Sequence, residues 1–251
     1  MEVLMLKTVL ENLVFVAEFL GIVFATFVVA YLFEKVANKK AGYTGPIITT
    51  QKIAMIGLFG AISTILMMFE FPVPFAPTFY KLDFSELPVM IVTFAFGPVA
   101  GILTEFIKIL LKVMFRSTST AFVGELANFC VGAALILPSS IIYIFNKTRK
   151  GALIGSVAGT ITMAVFGSLF NAVYLLPKFA QMYGMDLSVL VGMGSAINPA
   201  VTNVQTFALM IVVPLNLLKG AMVSTLTIVL YKKFSPILKQ SNTFREVNTA
   251  K

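Results

Sequence analysis

Between Phe207 and Tyr231 the chain carries one charge, Lys219. Six further apolar runs precede this one, near residues 9–33, 53–69, 86–96, 98–115, 121–145 and 152–176. About 20 such residues cross the hydrocarbon of a bilayer as a helix. Hydrocarbon offers no water to the backbone, so a chain immersed in it must close its hydrogen bonds within helices. The expected fold is all-α, a polytopic helix bundle in a lipid bilayer. The run at 86–96 is too short to span and ends at Gly97-Pro98, a strong break. It is either a short tilted helix or half of a broken pair with 98–115.

Several function classes are excluded. Only 12% of the residues are charged, about half the share of soluble domains. Histidine is absent and Cys130 is the single cysteine. The chain therefore has no internal disulfide, no usual zinc ligand set and no imidazole for acid–base work, and no cofactor is expected. It has no Gly-x-x-x-x-Gly-Lys-Ser/Thr loop for hydrolysing ATP. The net charge of +8 sits in short loops, so it reports topology and not nucleic acid. Lys35, Lys39, Lys40, Lys52, Lys147, Arg149, Lys150, Lys232, Lys233, Lys239, Arg245 and Lys251 fall on one side, which is read as cytoplasmic. Lys7, the loop 70–85, the Arg116 turn and a loop at 177–203 fall on the other. The N-terminus is then extracytoplasmic and the C-terminus cytoplasmic. The run at 9–33 is too long for a cleaved signal and precedes its basic cluster, so it reads as an anchor helix. Glu11 and Glu18 share one of its faces in the outer leaflet.

Polar residues inside the runs are clustered. Asn216 and Lys219 lie three apart and so share a helix face. A lysine at a helix centre costs about 2.5–3.5 kcal/mol, and Lys219 is about 18 Å from the Lys232 boundary at 1.5 Å per residue. That is too deep for easy snorkelling, so a cavity, partner group or ligand is expected there. Glu125 with Asn128, and Asn171 with Tyr174, repeat the spacing near the outer ends of two other runs. Either the three pairs converge on a ligand or they join helices by hydrogen bonds. Glu105 and Lys108 can pair along one helix, with Lys112 and Arg116 reaching outward, and this set reads as mainly structural. The outer stretch from Phe71 to Phe84 combines three prolines with five aromatics, including Phe79, and its Lys81-Leu82-Asp83 end leads into the run at 86–96. Such a loop suits a lid over a flat ligand. Asp83 with Glu86 also fits a capping box. Small residues mark two packing faces, Gly57 with Ala61 and Gly151-Gly155-Gly159, with the neighbour left open.

Four motifs carry a resemblance: Leu82-Asp83-Phe84-Ser85-Glu86-Leu87-Pro88, Phe96-Gly97-Pro98-Val99-Ala100-Gly101, Gly124-Glu125-Leu126-Ala127-Asn128-Phe129 and Pro214-Leu215-Asn216-Leu217-Leu218-Lys219-Gly220. Together they resemble the riboflavin-specific S components of energy-coupling-factor transporters, over about residues 50–240. The resemblance implies a non-enzymatic subunit that binds riboflavin under the loop after the first core helix. A coupling transmembrane subunit and two ATPase subunits would then drive uptake. It implies a six-helix core at 50–240, beyond which the helix and basic linker at 1–49 and the tail at 241–251 are additional. Implied ligand contacts are Lys219, Asn216, Asn128 and the loop around Leu82. Phe79, Lys81, Asp83, Glu125 and Asn171 complete the candidate set. Gly57 and Ala61 take the place of the family's coupling surface. The family's Lys-Asn-Leu-Leu stands here as Lys108-Ile-Leu-Leu.

The chemistry of riboflavin fits the residues independently. Isoalloxazine presents alternating acceptors and donors that amides can match, and its ribityl hydroxyls suit a lysine or carboxylate. Three alternatives remain: an S component for another vitamin such as thiamine, balanced by Glu125; an autonomous carrier; and an intramembrane enzyme. The absence of tryptophan weighs against a cation cage, and the missing histidine weighs against the enzyme.

Overall fold

The computed structural model describes residues 13–116, 118, 120 and 122–248, so Lys7, Glu11 and Lys251 lie outside the described residues. The elements are α1 (Leu13–Lys40), α2 (Thr50–Met68), the two-residue strands β1 (Phe71–Pro72) and β2 (Lys81–Leu82), α3 (Glu86–Phe96), α4 (Pro98–Arg116), α5 (Val123–Phe145), α6 (Arg149–Phe170), α7 (Leu176–Tyr183), α8 (Leu187–Ser195), α9 (Val204–Phe207) and α10 (Val213–Asn248). Among the described residues, Val16–Lys40, Thr50–Met68, Val123–Phe145, Arg149–Tyr183 and Val204–Tyr231 are long and apolar enough to cross a membrane. The chain is thus an all-α membrane helix bundle.

The short run at 86–96 takes the central place. α3 is buried along almost its whole length and packs against α2, α4, α5 and α10. It stops at Gly97, whose φ of +96° disfavours a side chain, and Pro98 then starts α4. Eleven residues rise only about 16 Å, so α3 is a buried half-length helix standing on a separate α4.

Small residues set the helix spacing. A side chain at Gly155 would come within 2.6 Å of the Ser139 carbonyl oxygen, so this glycine face packs on α5 of the same chain. Gly60 does the same for α2, where a Cβ would meet Ile107 of α4 at 2.7 Å. Gly57 has nothing within 4 Å of that position, and Gly57 and Ala61 are both exposed on the outer face of α2.

α1 extends past the expected residue 33 to Lys40 and lies against α4 and α5. Phe19 meets Phe129 edge-on at 5.8 Å, and Ala30 is fully buried. Near its end Glu34, 2% exposed, accepts the Val99 backbone N–H at 3.0 Å and pairs with Lys52 of α2. The carboxylate thus caps the start of α4 from another helix, where helix N–H groups lack intrahelical partners.

The stretch 177–203, expected as a loop, is instead partly helical. α6 continues through a π-turn at Asn171–Leu175 into α7, and α8 follows. Leu176, Ala180, Leu190 and Val191 join Phe207 and Ile211 in a second apolar core at this end. Pro177 sits in the first turn of α7, where the missing N–H costs nothing.

Candidate ligand-binding site

The polar centre is assembled from four elements. The loop contributes Asp83, the start of α3 gives Ser85 and Glu86, α4 gives Glu105 and Lys108, and α10 gives Lys219. All six are less than a tenth exposed. Lys219 Nζ lies 3.2 Å from Asp83 Oδ2 and 2.9 Å from Glu86 Oε2. Lys108 Nζ lies 2.7 Å from Glu105 Oε1 and 3.3 Å from Glu86 Oε1, and donates to Ser85 Oγ at 3.1 Å. Glu86 therefore bridges the two ammonium groups. Three carboxylates surround two lysines, and the N-terminus of α3 adds partial positive charge beside Asp83 and Glu86.

Burial, the largest influence on Asp83, pushes its pKa up. Lys219, Lys108 and the hydrogen bonds from Ser85 outweigh it and hold the group below the usual carboxylate range. The expected capping box at Asp83 and Glu86 does not form. Asp83 Oδ1 accepts the Ser85 N–H at 2.7 Å, and Ser85 precedes α3 without a side-chain cap. Both carboxylates are engaged by lysines instead.

The loop closes over this centre as a small hairpin. Phe71 pairs with Leu82 and Pro72 with Lys81. Leu82 is buried, while Phe79 is exposed and lies tilted against Tyr80 at 4.8 Å. The Tyr80 hydroxyl donates to Asn171 Oδ1 in the first π-turn, and its ring lies 5.9 Å from Phe207. π-turns are frequent at functional sites. This one rotates Asn171 toward the loop, and a second, Ala208–Val212, packs beside it. Beside Lys219 lies a narrow slot, walled by Phe71, Leu82, Phe84 and Val223.

The other expected residues divide. Asn216 faces α6, where a Cβ on Gly167 would meet its Nδ2 at 2.5 Å. Asn128 Nδ2 donates to the Gly124 carbonyl at 3.0 Å. Glu125 turns to the C-terminal end of α4, pairing with Lys112 and accepting from Thr118 at 2.9 Å and Thr120 at 3.1 Å. Lys112, expected to reach outward, is taken up by that pair. Lys81 pairs with Glu70 at 2.6 Å on the surface. Tyr174 stacks on Phe170 at 5.3 Å and so parts from Asn171. The three polar pairs therefore do not meet in a single ring. Glu86 and Tyr80 are central yet carried no distinct signal, since an acid before an apolar run reads as a cap and a loop tyrosine as one aromatic among several.

The arrangement holds donors and acceptors at fixed positions beneath the hairpin, which is the chemistry of recognition. Comparison with known proteins agrees with that character. The family described as "ECF transporter, substrate-specific component" matches residues 51–231. The chain is 33% identical over 191 residues to the riboflavin transporter RibU of Staphylococcus aureus, covering 76% of this chain and 93% of that protein. It is 29% identical over 192 residues to the riboflavin transporter FmnP of Bacillus subtilis, covering 76% and 95%. A solved structure described under "Structure and mechanism of the S component of a bacterial ECF transporter" superposes with a TM-score of 0.59 at 32% identity. It covers 75% of this chain and 98% of that one.

Proposed function

The chain belongs to the substrate-specific components of ECF transporters, and on that premise we propose that it captures riboflavin beneath the 71–82 hairpin. As a member of that family it is a transport component and not an enzyme. The observation that carries the riboflavin reading is the double tether of the hairpin, Asp83 on Lys219 and Tyr80 on Asn171. Both tethers use groups suited to the ligand, so the loop and the vitamin compete for the same donors and acceptors. Ligand sites of this kind measure about 300–1,000 Å³, far more than the slot beside Lys219, so capture includes lifting the hairpin. Lys219, Asn216, Asn171 and Asn128 then meet the ring edge and ribityl hydroxyls, with Leu82, Asp83 and Phe79 closing above. Lys81 and Glu125, each in an ion pair, form the rim. The names of the two relatives support the choice of vitamin. A cationic vitamin such as thiamine fits less well, because Glu125 is already paired with Lys112.

The loading face is extracytoplasmic in this reading, since the basic residues gather at the opposite ends of the helices. Six helices form the core within 50–240 (α2 to α6 and α10), to which α1 and its linker are added. Gly57 and Ala61, exposed on α2, meet a coupling transmembrane subunit that two ATPases drive. Titrating riboflavin with the detergent-purified chain tests the assignment. The flavin emission should be quenched to saturation without ATP, and emission unaltered by a large excess of folded protein would exclude riboflavin.

A further inference from the structure

At the basic end of the bundle a half-open cavity of about 700 Å³ lies between the end of α1, the 41–49 linker, the start of α2 and the ends of α3 and α5. The capture of a vitamin at the Lys219 end makes no use of it. Its size falls in the range of built ligand sites. Phe94 and Ile144 supply an apolar wall, and Asn38, Thr44 and Lys147 supply donors. The acid lining it, Glu34, is engaged by Lys52 and the Val99 N–H and so leaves little uncompensated negative charge. Lys147 forms no ion pair among the described residues. Lys39, Lys40, Arg149 and Lys150 flank the lining segments, and the sequence holds no acid from Lys35 to Phe69 or from Leu126 to Met185. The cavity is therefore a positively charged recess at the end of a membrane bundle.

We propose that this recess binds the phosphate of an anionic phospholipid headgroup. Basic pockets between membrane helices at the cytoplasmic side suit such groups, because a phosphate there gains charge and donors together. Lys147 supplies the charge from α5's end, and Asn38 and Thr44 supply donors from the α1 side. The bound headgroup thus ties the linker to the core. A soluble phosphate would use the same groups, so the source has to be separated by experiment.

The test is native mass spectrometry and thermal melting of the full chain in detergent, titrated separately with phosphatidylglycerol, phosphatidylcholine and inorganic phosphate. Phosphatidylglycerol should bind one per chain and raise the melting temperature, as any ligand of the folded state does. Lys147→Gln should weaken that binding about fivefold, the worth of one basic residue near a headgroup. Lys81→Gln, a surface lysine at the other end, should leave it unchanged. Thr44→Trp, which fills the mouth from an exposed linker position, should remove the bound lipid while riboflavin binding persists. Millimolar inorganic phosphate reproducing the shift alone would keep the phosphate site but assign it to a soluble ligand. Equal binding of the two lipids, or equal loss in Lys147→Gln and Lys81→Gln, would overturn the proposal.

Discussion

Lys219 and Asn216 share a helix face, yet substitution separates them. Asn216→Ala removes one amide and should weaken riboflavin binding by about 1–3 kcal/mol, with little change in melting. Lys219→Ala also takes the ammonium from Asp83 Oδ2 and Glu86 Oε2, so it should lower thermal stability as well as affinity. The same logic is sharper at Lys108, which is fully buried between Glu105 and Glu86. Breaking a buried pair costs about 3–5 kcal/mol, so Lys108→Met should be severely destabilised, and adding Glu105→Leu should recover part of the loss in a melting assay. Tyr80→Phe releases Asn171 from the loop and should speed riboflavin association, read by stopped-flow quenching. Asp83 fixes a sign for pH. Its folded pKa lies below its unfolded value, so its stabilisation is complete above the usual carboxylate range and fades only as pH falls through the lower folded value. The melting temperature should therefore fall as pH drops from the usual carboxylate range toward the lower folded value, and Asp83→Asn should flatten that part of the profile. A buried lysine announces itself in an apolar run, which is why Lys219 was legible. Its pairing with Asp83 was not, because Asp83 lies 136 residues away and only the fold joins them.

At the scale of elements, α2 offers a clean division between its two faces. Gly60 packs inward on Ile107, whereas Gly57 and Ala61 are exposed and nothing lies within 4 Å of a Cβ built on Gly57. Gly57→Leu combined with Ala61→Leu should therefore leave riboflavin affinity nearly intact while uptake by the assembled transporter collapses. If both fell together, overpacking by about 1–3 kcal/mol inside the chain would be the cause instead. The small-residue spacing was readable in the sequence, but the side it faces required the packed neighbours. α7 and α8 show the opposite failure. Pro177, Asp186 and Pro199 punctuate the stretch like a loop, and helices of eight and nine residues are too short for a periodicity argument to separate from one. Their burial comes from meeting Phe207 and Ile211, a tertiary event. Glu34 was equally silent, since Glu34-Lys35 at the end of an apolar run reads as a charged membrane boundary.

For the molecule as a whole, the sequence holds no Gly-x-x-x-x-Gly-Lys-Ser/Thr loop to hydrolyse ATP. Reconstituted alone in sealed vesicles, the chain should bind riboflavin but not concentrate it, and concentrative uptake by the lone chain would establish an autonomous carrier. The bundle, the broken pair at Gly97-Pro98 and the polar end near Lys219 all followed from apolar length and intramembrane charge. The place of α1 did not, because an added helix of uniform apolarity has no face that names its neighbour. Its anchor nevertheless crosses the family's edge, for Lys52 lies inside the shared 51–231 region and Glu34 outside it. An engineer who trimmed this chain to the inherited segment would strip the Val99 N–H of the carboxylate that caps it and remove the acid that Lys52 reaches. What the family shares and what caps α4 in this chain differ by one helix.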